Sequence, residues 1–575
     1  MKHSKTRPLR FLPTTKNEMR ERGWSELDII LISGDTYIDS PYIGVAVIGR
    51  VLETAGFKVG IIAQPDTKSG GDIQRLGAPR LFWGVTGGSV DSMVANYTAI
   101  KKRRKSDDFT PGCINNRRPD RAVIVYSNLI RQYFKNTAPI VLGGIEASLR
   151  RLSHYDFWTN KIRKSLLFDA KADALVYGMA EKTIVELARA IDSQDDFRRI
   201  AGLCYAGRGI PPGFLELPTY SAVVRDKQRF AAMFRVFYQN NDPLTAQGLA
   251  QLQDDRYLIQ NPPPPYLRQE ELDAVNELPF TRAVHPYYRE HGVVRALTTI
   301  QFSITTHRGC YGECNFCAIA VHQGRTVRMR SQASILREAV QLTRHPDFKG
   351  NIMDVGGPTA NMYGFECPKK LAKGPCRDKR CLIPVPCPQL KIRHDRQITL
   401  LGKLRNLPGV KHVFVASGIR YDMVMADKMG REYLNMLVQH HVSGQMKIAP
   451  EHCLDHVLEK MAKPPVRSLL KFRELFNSLN RAAGKKQFLT YYFIAAHPGC
   501  TRRDMEKLQK FCHQKLHTSP EQVQIFTPTP STYSTMMYWT GIDPFSSKSI
   551  YCEREKRGKE EQKKLLTDKR LKPQR

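Results

Sequence analysis

Cys310, Cys314 and Cys317 are spaced Cys-x3-Cys-x2-Cys in the segment THRGCYGECNFCAIAVHQGR (306–325). Three thiolates this close on one loop can each take one iron of a cubane cluster. Gly309 and Gly312 let the backbone fold tightly around such a group. A cubane held by three protein ligands keeps one iron open to chelate a small molecule. Structural zinc is the competing chemistry. It wants a fourth donor, commonly with the ligands in two close pairs, and His322 is the residue at hand. Phe316, just before the last cysteine, can pack against a flat ring such as adenine.

A second set, Cys367, Cys376, Cys381 and Cys387, falls within 21 residues at spacings x8, x4 and x5. Prolines and glycines punctuate the segment, so it is a loop. Its chemistry is an auxiliary Fe–S cluster or a structural zinc, with unliganded thiols as the plain reading. His452 in APEH and His497 in AAHPGC stand at strand ends, where an imidazole can act as acid or base. Cys500 is a candidate to quench or relay a radical.

Composition limits the remaining classes. Thirteen cysteines in 575 residues are too sparse for a disulfide scaffold, and seven of them lie between Cys310 and Cys387. The N-terminus, MKHSKTRPLRFLPTTKNEMRERGW, has no apolar leader core. No run of about 18 apolar residues occurs, so no membrane span is expected. A cytoplasmic, reduced location follows. The net charge of +34 favours anionic partners, nucleic acid among them, although no reader motif accompanies it.

The elements that must carry these residues alternate between strand and helix. Residues 1–25 form a basic arm. From 26 to 207, short apolar runs at 28–33, 59–63, 81–88, 139–144, 174–178 and 200–207 alternate with helical patterns at 41–54, 120–135 and 182–191, which predicts a doubly wound parallel sheet. Gly34-Asp35, Gly87-Gly88 and Gly143-Gly144 end three of the strands, where ligands of such sheets bind. Residues 208–290 read as a linker with a stiff strap at QNPPPPYL (260–267). From 291 to 545, strands at 297–305, 351–355, 411–417, 445–450, 488–496 and 523–528 predict six strand-helix units of an α/β barrel, with a cysteine-rich insertion at 361–395. The tail, 546–575, is charged and is expected to be disordered or loosely helical.

The triad after a barrel strand resembles the radical S-adenosylmethionine superfamily. Further segments look like its YgiQ-type family: RSQASILREA (330–339), DVGGPTANMYGFEC (354–367), ASGIRYDM (416–423), KIAPEH (447–452), YFIAAHPGC (492–500), FTPTPSTYSTMMYWTGIDPF (526–545) and DTYIDSPYIGVAVIGRVLETAGFKVGIIAQPD (35–66). The resemblance implies a [4Fe-4S] cluster on Cys310, Cys314 and Cys317. It also implies S-adenosylmethionine on the open iron and reductive cleavage to a 5′-deoxyadenosyl radical that abstracts hydrogen from a substrate. The electron would come from a donor such as a flavodoxin or ferredoxin. Gly356 and Gly357 stand where the superfamily binds the methionine amine, although the usual Glu is replaced by Pro358-Thr359. Lys447 and Glu451, and more weakly Ser417 and Arg420, stand where it contacts ribose or carboxylate. The first domain resembles a flavodoxin-like, cobalamin-binding module, but Tyr37 replaces the histidine of Asp-x-His-x-x-Gly, which puts cobalamin in doubt. The other function classes are an RNA-modifying radical enzyme of the methylthiotransferase kind and a non-enzymatic zinc or nucleic-acid-binding protein.

Overall fold

The computed structural model describes residues 10–568. The first sheet is built from β1 (Leu27–Ser33), β2 (Val59–Ala63), β3 (Pro79–Thr86), β4 (Ile140–Gly143), β5 (Ala174–Val176), β6 (Leu203–Gly207), β7 (Leu215–Glu216), β8 (Leu249–Gln253) and β9 (Arg256–Gln260). Its order is β7-β8-β9-β6-β5-β4-β3-β1-β2. The five strands from β2 to β5 run parallel in the order 2-1-3-4-5, the flavodoxin-like doubly wound arrangement. β1 and β2 are buried along their whole length, as sheets covered on both faces require. β6 and β9 join antiparallel to their neighbours.

Three segments depart from the sequence expectation. Residues 208–290 are not a linker alone, because β7, β8 and β9 extend the first sheet. Residues 10–25 are not a free arm: Leu12 is fully buried, the Thr14 hydroxyl donates to the Ile61 carbonyl at 2.9 Å, and a capped helix spans Lys16–Glu21. The expected arm's residues 1–9 lie outside the described residues. The tail forms a helix, Lys556–Thr567, that lays Gln562 and Leu566 into the barrel wall. Residues 569–575 lie outside the described part.

The second unit is a partial barrel. Its strands are β10 (Ser303–Thr305), β11 (Asn351–Ile352), β12 (Asp354–Gly356), β13 (His412–Val413), β14 (Gln445–Glu451), β15 (Phe488–Ala495) and β16 (Gln522–Ile525). β10 pairs parallel with β12, and β11 with β13. A parallel bridge joins Ile419 to Ile448, and β14, β15 and β16 pair parallel in sequence. Six strand positions therefore follow chain order around an arc. The first strand is shorter than the apolar run 297–305 suggested, since Ala296–Ile300 is helical. Met446, Ile448, Phe493 and Ala495 pack with the helices outside, so the alternate residues of β14 and β15 face the barrel interior.

Candidate active site

β10 delivers the chain through Thr306 and His307 into the cysteine loop at the carboxyl end of the barrel. Cys310, Cys314 and Cys317 are all free thiols on that loop. Gly309 sits at φ +82°, with the Thr326 carbonyl where a side chain would stand, so only glycine fits. Burial, then the adjacent Cys314 sulfur, raises the Cys310 thiol, and the same two causes push Cys317 up to about 12. All three cysteines are half-buried on this one loop, with Cys314 electrostatically coupled to the other two. His322 does not join it. Its Nδ1 lies 3.0 Å from the Ser148 hydroxyl of the first domain.

Other loops at the same barrel end converge on the triad. An Nη1 of Arg420 donates to the Cys314 sulfur at 3.7 Å, and its Nε and Nη2 fork onto Asp422 at 2.8 and 2.7 Å. Burial opposes the guanidinium's charge, but the Asp422 carboxylate outweighs it and holds Arg420 cationic. Asn361 fixes the Arg420 backbone at both its N–H (2.9 Å) and its carbonyl (3.1 Å). The Thr359 hydroxyl lies 3.7 Å from the Cys310 sulfur. Lys463 pairs with Glu451 at 3.6 Å and lowers the Cys317 thiol, so it too faces the group. Burial raises the Glu451 carboxyl, and its backbone is left-handed at φ +69°. Lys447 is exposed on β14, on the face opposite the buried Met446 and Ile448.

Gly356 and Gly357 close β12. The Gly356 carbonyl accepts from the Thr306 N–H at 2.7 Å and from its hydroxyl at 3.0 Å. A Cβ on Gly357 would stand 2.6 Å from the His307 ring. Ser417 is held by Asp354, which takes its hydroxyl and also accepts the Ala416 and Ser417 N–H groups at 2.8 and 3.1 Å.

Other candidates sit elsewhere. Phe316 meets His497 edge to face at 6.3 Å and packs between the cores of the two units. His497 is fully buried, with Nδ1 2.8 Å from the Pro498 carbonyl and Nε2 2.6 Å from the Ser534 hydroxyl. Burial depresses its pKa to about 3. His452 is likewise depressed to about 3 and lies 3.6 Å from the buried Cys500 sulfur. Both nitrogens of His497 are engaged within the packing, so it is structural rather than a site acid or base. His452 and Cys500 pair with each other inside the core and not with the triad.

The cysteine-rich insertion packs on the triad's loop. Cys367 and Cys381 share an apolar cluster with Cys310 and Tyr311, and the Cys387 N–H donates to the Cys381 carbonyl at 2.8 Å. Arg380 clamps the loop, donating to the Glu313 carbonyl at 2.8 Å and to Asn315 Oδ1 at 2.7 Å. Among the described residues no three His, Cys, Asp or Glu side chains converge tightly enough to grip a single metal ion.

Beside Gly356 and Gly357 opens a cavity of about 480 Å³ between the two units. The barrel contributes Thr305, His307, Asp354 and Ser417, and the first sheet contributes the carboxyl ends of β1, β3 and β4. Tyr42 reaches it from the loop after β1. Tyr37 does not. It is fully buried, stacked on His285 at 5.5 Å, and its hydroxyl accepts from the Leu12 N–H at 3.2 Å. Behind the cavity, Arg118 pairs with Asp35 at 2.5 Å and Asp107 at 3.0 Å, all deeply buried. Among the described residues, no helix is long and apolar enough to cross a membrane.

The radical SAM N-terminal family matches residues 11–303. A UPF0313 protein of Fusobacterium nucleatum is 56% identical over 564 residues, covering 98% of this chain and 99% of its own. A UPF0313 protein of Thermotoga maritima is 50% identical over 547 residues, covering 95% of this chain and 96% of its own. Among solved structures, the radical S-adenosylmethionine methyltransferase TsrM of Kitasatospora setae, with cobalamin and a [4Fe-4S] cluster bound, matches with a TM-score of 0.50. It has 16% identity, over 88% of this chain and 76% of that one.

Proposed function

This chain belongs to the UPF0313, YgiQ-type family of radical S-adenosylmethionine enzymes, and from that premise we propose that Cys310, Cys314 and Cys317 hold a [4Fe-4S] cluster. When bound, the cluster supplies an open iron for S-adenosylmethionine and one-electron cleavage to a 5′-deoxyadenosyl radical that abstracts hydrogen from a substrate. The observation that carries this reading is the half-buried thiol triad at the end of the first barrel strand, with a cation fixed against Cys314. Arg420 opposes the burial that raises the Cys310 thiol, as an adjacent cation does for a thiolate. Lys463 does the same for Cys317 while pairing with Glu451. The Gly356-Gly357 turn offers backbone groups for the methionine amine, and Lys447 and Glu451 offer charge to the ribose and carboxylate. The electron comes from a donor such as a flavodoxin or ferredoxin.

Cobalamin, bound by the Kitasatospora enzyme, fits poorly here. Tyr37, at the expected ligand position, is locked against His285 and Leu12 and does not reach the cavity. Asp35, just past β1, is already tied to the buried Arg118, which also holds Asp107. The cavity, about 480 Å³, lies in the range of ordinary small-molecule pockets, about 300–1,000 Å³.

The test is anaerobic reconstitution with iron and sulfide, then dithionite and S-adenosylmethionine, with 5′-deoxyadenosine measured. Full iron occupancy without product would sink the reading. Cys314→Ala should abolish product while the fold persists. If Cys314→Ala loses four irons and keeps four, Cys367, Cys376, Cys381 and Cys387 hold an auxiliary cluster. If one zinc remains, they hold zinc.

A further inference from the structure

The cavity between the two units does not end at the barrel. A smaller hollow of about 80 Å³ lies under the proline strap, and it shares Gly178, Met179, Arg308, His322 and Gln323 with the larger one. The two hollows therefore adjoin at these five residues, the smaller under the strap and the larger reaching the Gly356-Gly357 turn. The hollow under the strap is lined by Lys182, Arg308 and Arg328, the first paired with Glu271 at 2.6 Å and the second with Glu181. Arg308 and Arg328 are opposed residues of a two-stranded ribbon, which sets their charges side by side. Arg328 has no carboxylate partner among the described residues; its Nε donates to the Leu267 carbonyl at 3.2 Å. His322 adds no charge, since burial depresses it to about 4.

The inner part is different. Its wall is largely aliphatic, with Ile43, Val47, Val85, Leu142, Val176 and Ile184. Its acids already carry partners: Asp35 has Arg118, Asp354 has Ser417, and Glu181 has Arg308 on one oxygen while its other oxygen is unpartnered among the described residues. The Glu181–Arg308 pair joins the two units at the point where the parts meet. A cationic mouth on an apolar chamber selects a molecule with a negative head and a hydrocarbon body. We propose that the two hollows connect as one passage, that this passage is the substrate site, and that it takes a small amphipathic anion, a carboxylate or phosphate ester on an aliphatic body. The head sits at Arg308 and Arg328, and the body reaches toward Gly357 and Ser417. The assignment rests on the radical reading only for what happens to the bound molecule, since the binding itself needs no cluster chemistry.

The test uses the reconstituted protein and the fluorescent probe 11-(dansylamino)undecanoic acid, whose emission rises in an apolar site. Decanoate should displace it at least tenfold more effectively than 1-decanol or decylamine. Arg328→Gln should weaken decanoate about tenfold and leave 1-decanol unchanged. Ile48→Trp, which fills the chamber from the helix Gly44–Thr54, should abolish probe binding while the cluster absorbance remains. Equal displacement by decanol and decanoate overturns the anionic head, and so does an unaffected Arg328→Gln. Displacement of the probe by aquacobalamin at equal concentration overturns the substrate assignment. Probe binding without any 5′-deoxyadenosine in the parallel assay leaves the site standing and removes the radical reading.

Discussion

Arg420 donates to the sulfur of Cys314 across 3.7 Å while its other nitrogens are forked onto Asp422. The fork fixes the guanidinium plane, so the remaining N–H points at the thiol and does not wander. Lys keeps the charge but cannot hold Asp422 and the sulfur at once. Arg420→Lys should therefore lower 5′-deoxyadenosine formation by about 10–100-fold, as loss of outer contacts to metal ligands does. Iron per chain, measured on the same sample, separates a weakened cluster from a lost one. An unchanged rate would mean that the contact has no part in holding the cluster.

Gly357 and His307 meet so closely that a methyl group cannot enter between them. Gly357→Ala should cost about 1–3 kcal/mol by overpacking and weaken S-adenosylmethionine binding by displacing the turn. Adding His307→Ala should restore most of both, because the clash is with that ring. Equilibrium binding and urea midpoints of the two single variants and the double form the cycle. Independent effects of the two changes would remove the steric explanation.

The sequence carried the parallel part of the first sheet because its strands are continuous apolar runs. DIILIS and VGIIA have no other way to be buried. It failed where apolar character was shared between elements: LTTI continues into QFSIT, yet Ala296–Ile300 is helical. The β8–β9 hairpin was readable in principle. LAQLQ and RYLIQ flank Asp254-Asp255, and Asp254 takes the left-handed turn conformation at φ +61°. At the site, the three cysteines could be picked out from the chain because their spacing is local. Asp422, Thr359, Lys463 and Tyr42 were not, since they reach the cysteines or the cavity from distant loops that only the barrel brings together. His497 misled for the converse reason. A strand-end histidine reads as catalytic until its two nitrogens are seen to be occupied.

His497 is held neutral by burial, with a pKa near 3 against about 6.5 when unfolded. The unfolded chain therefore binds a proton that the folded one refuses. The resulting stability is complete above about pH 6.5 and is lost as pH falls toward the folded value. His452, depressed in the same way, adds to the slope. Each contributes about 1.4 kcal/mol per pH unit through that window. His497→Asn should lower stability at pH 7 and reduce the slope between pH 6 and 4.5 by one proton. Urea unfolding across that range measures it, and an unchanged slope would show that the imidazole is already protonated in the fold.

The helix at the C-terminus is part of the barrel wall rather than an appendage. The Gln562 side-chain Oε1 accepts the Ala496 N–H at 2.9 Å, where Ala496 turns in the left-handed region at φ +59° just past β15. That N–H is buried and needs its acceptor, because the turn takes it out of the strand ladder. Gln562→Ala leaves it unpaired and should cost about 1–3 kcal/mol. Gln562→Glu keeps an acceptor and should recover much of the loss if its charge is tolerated beside Cys500. Because β15 lies next to β14, which carries Lys447 and Glu451, the Ala variant should also loosen S-adenosylmethionine binding. A truncation at residue 550 that binds S-adenosylmethionine and unfolds like the full chain would show that the helix is dispensable.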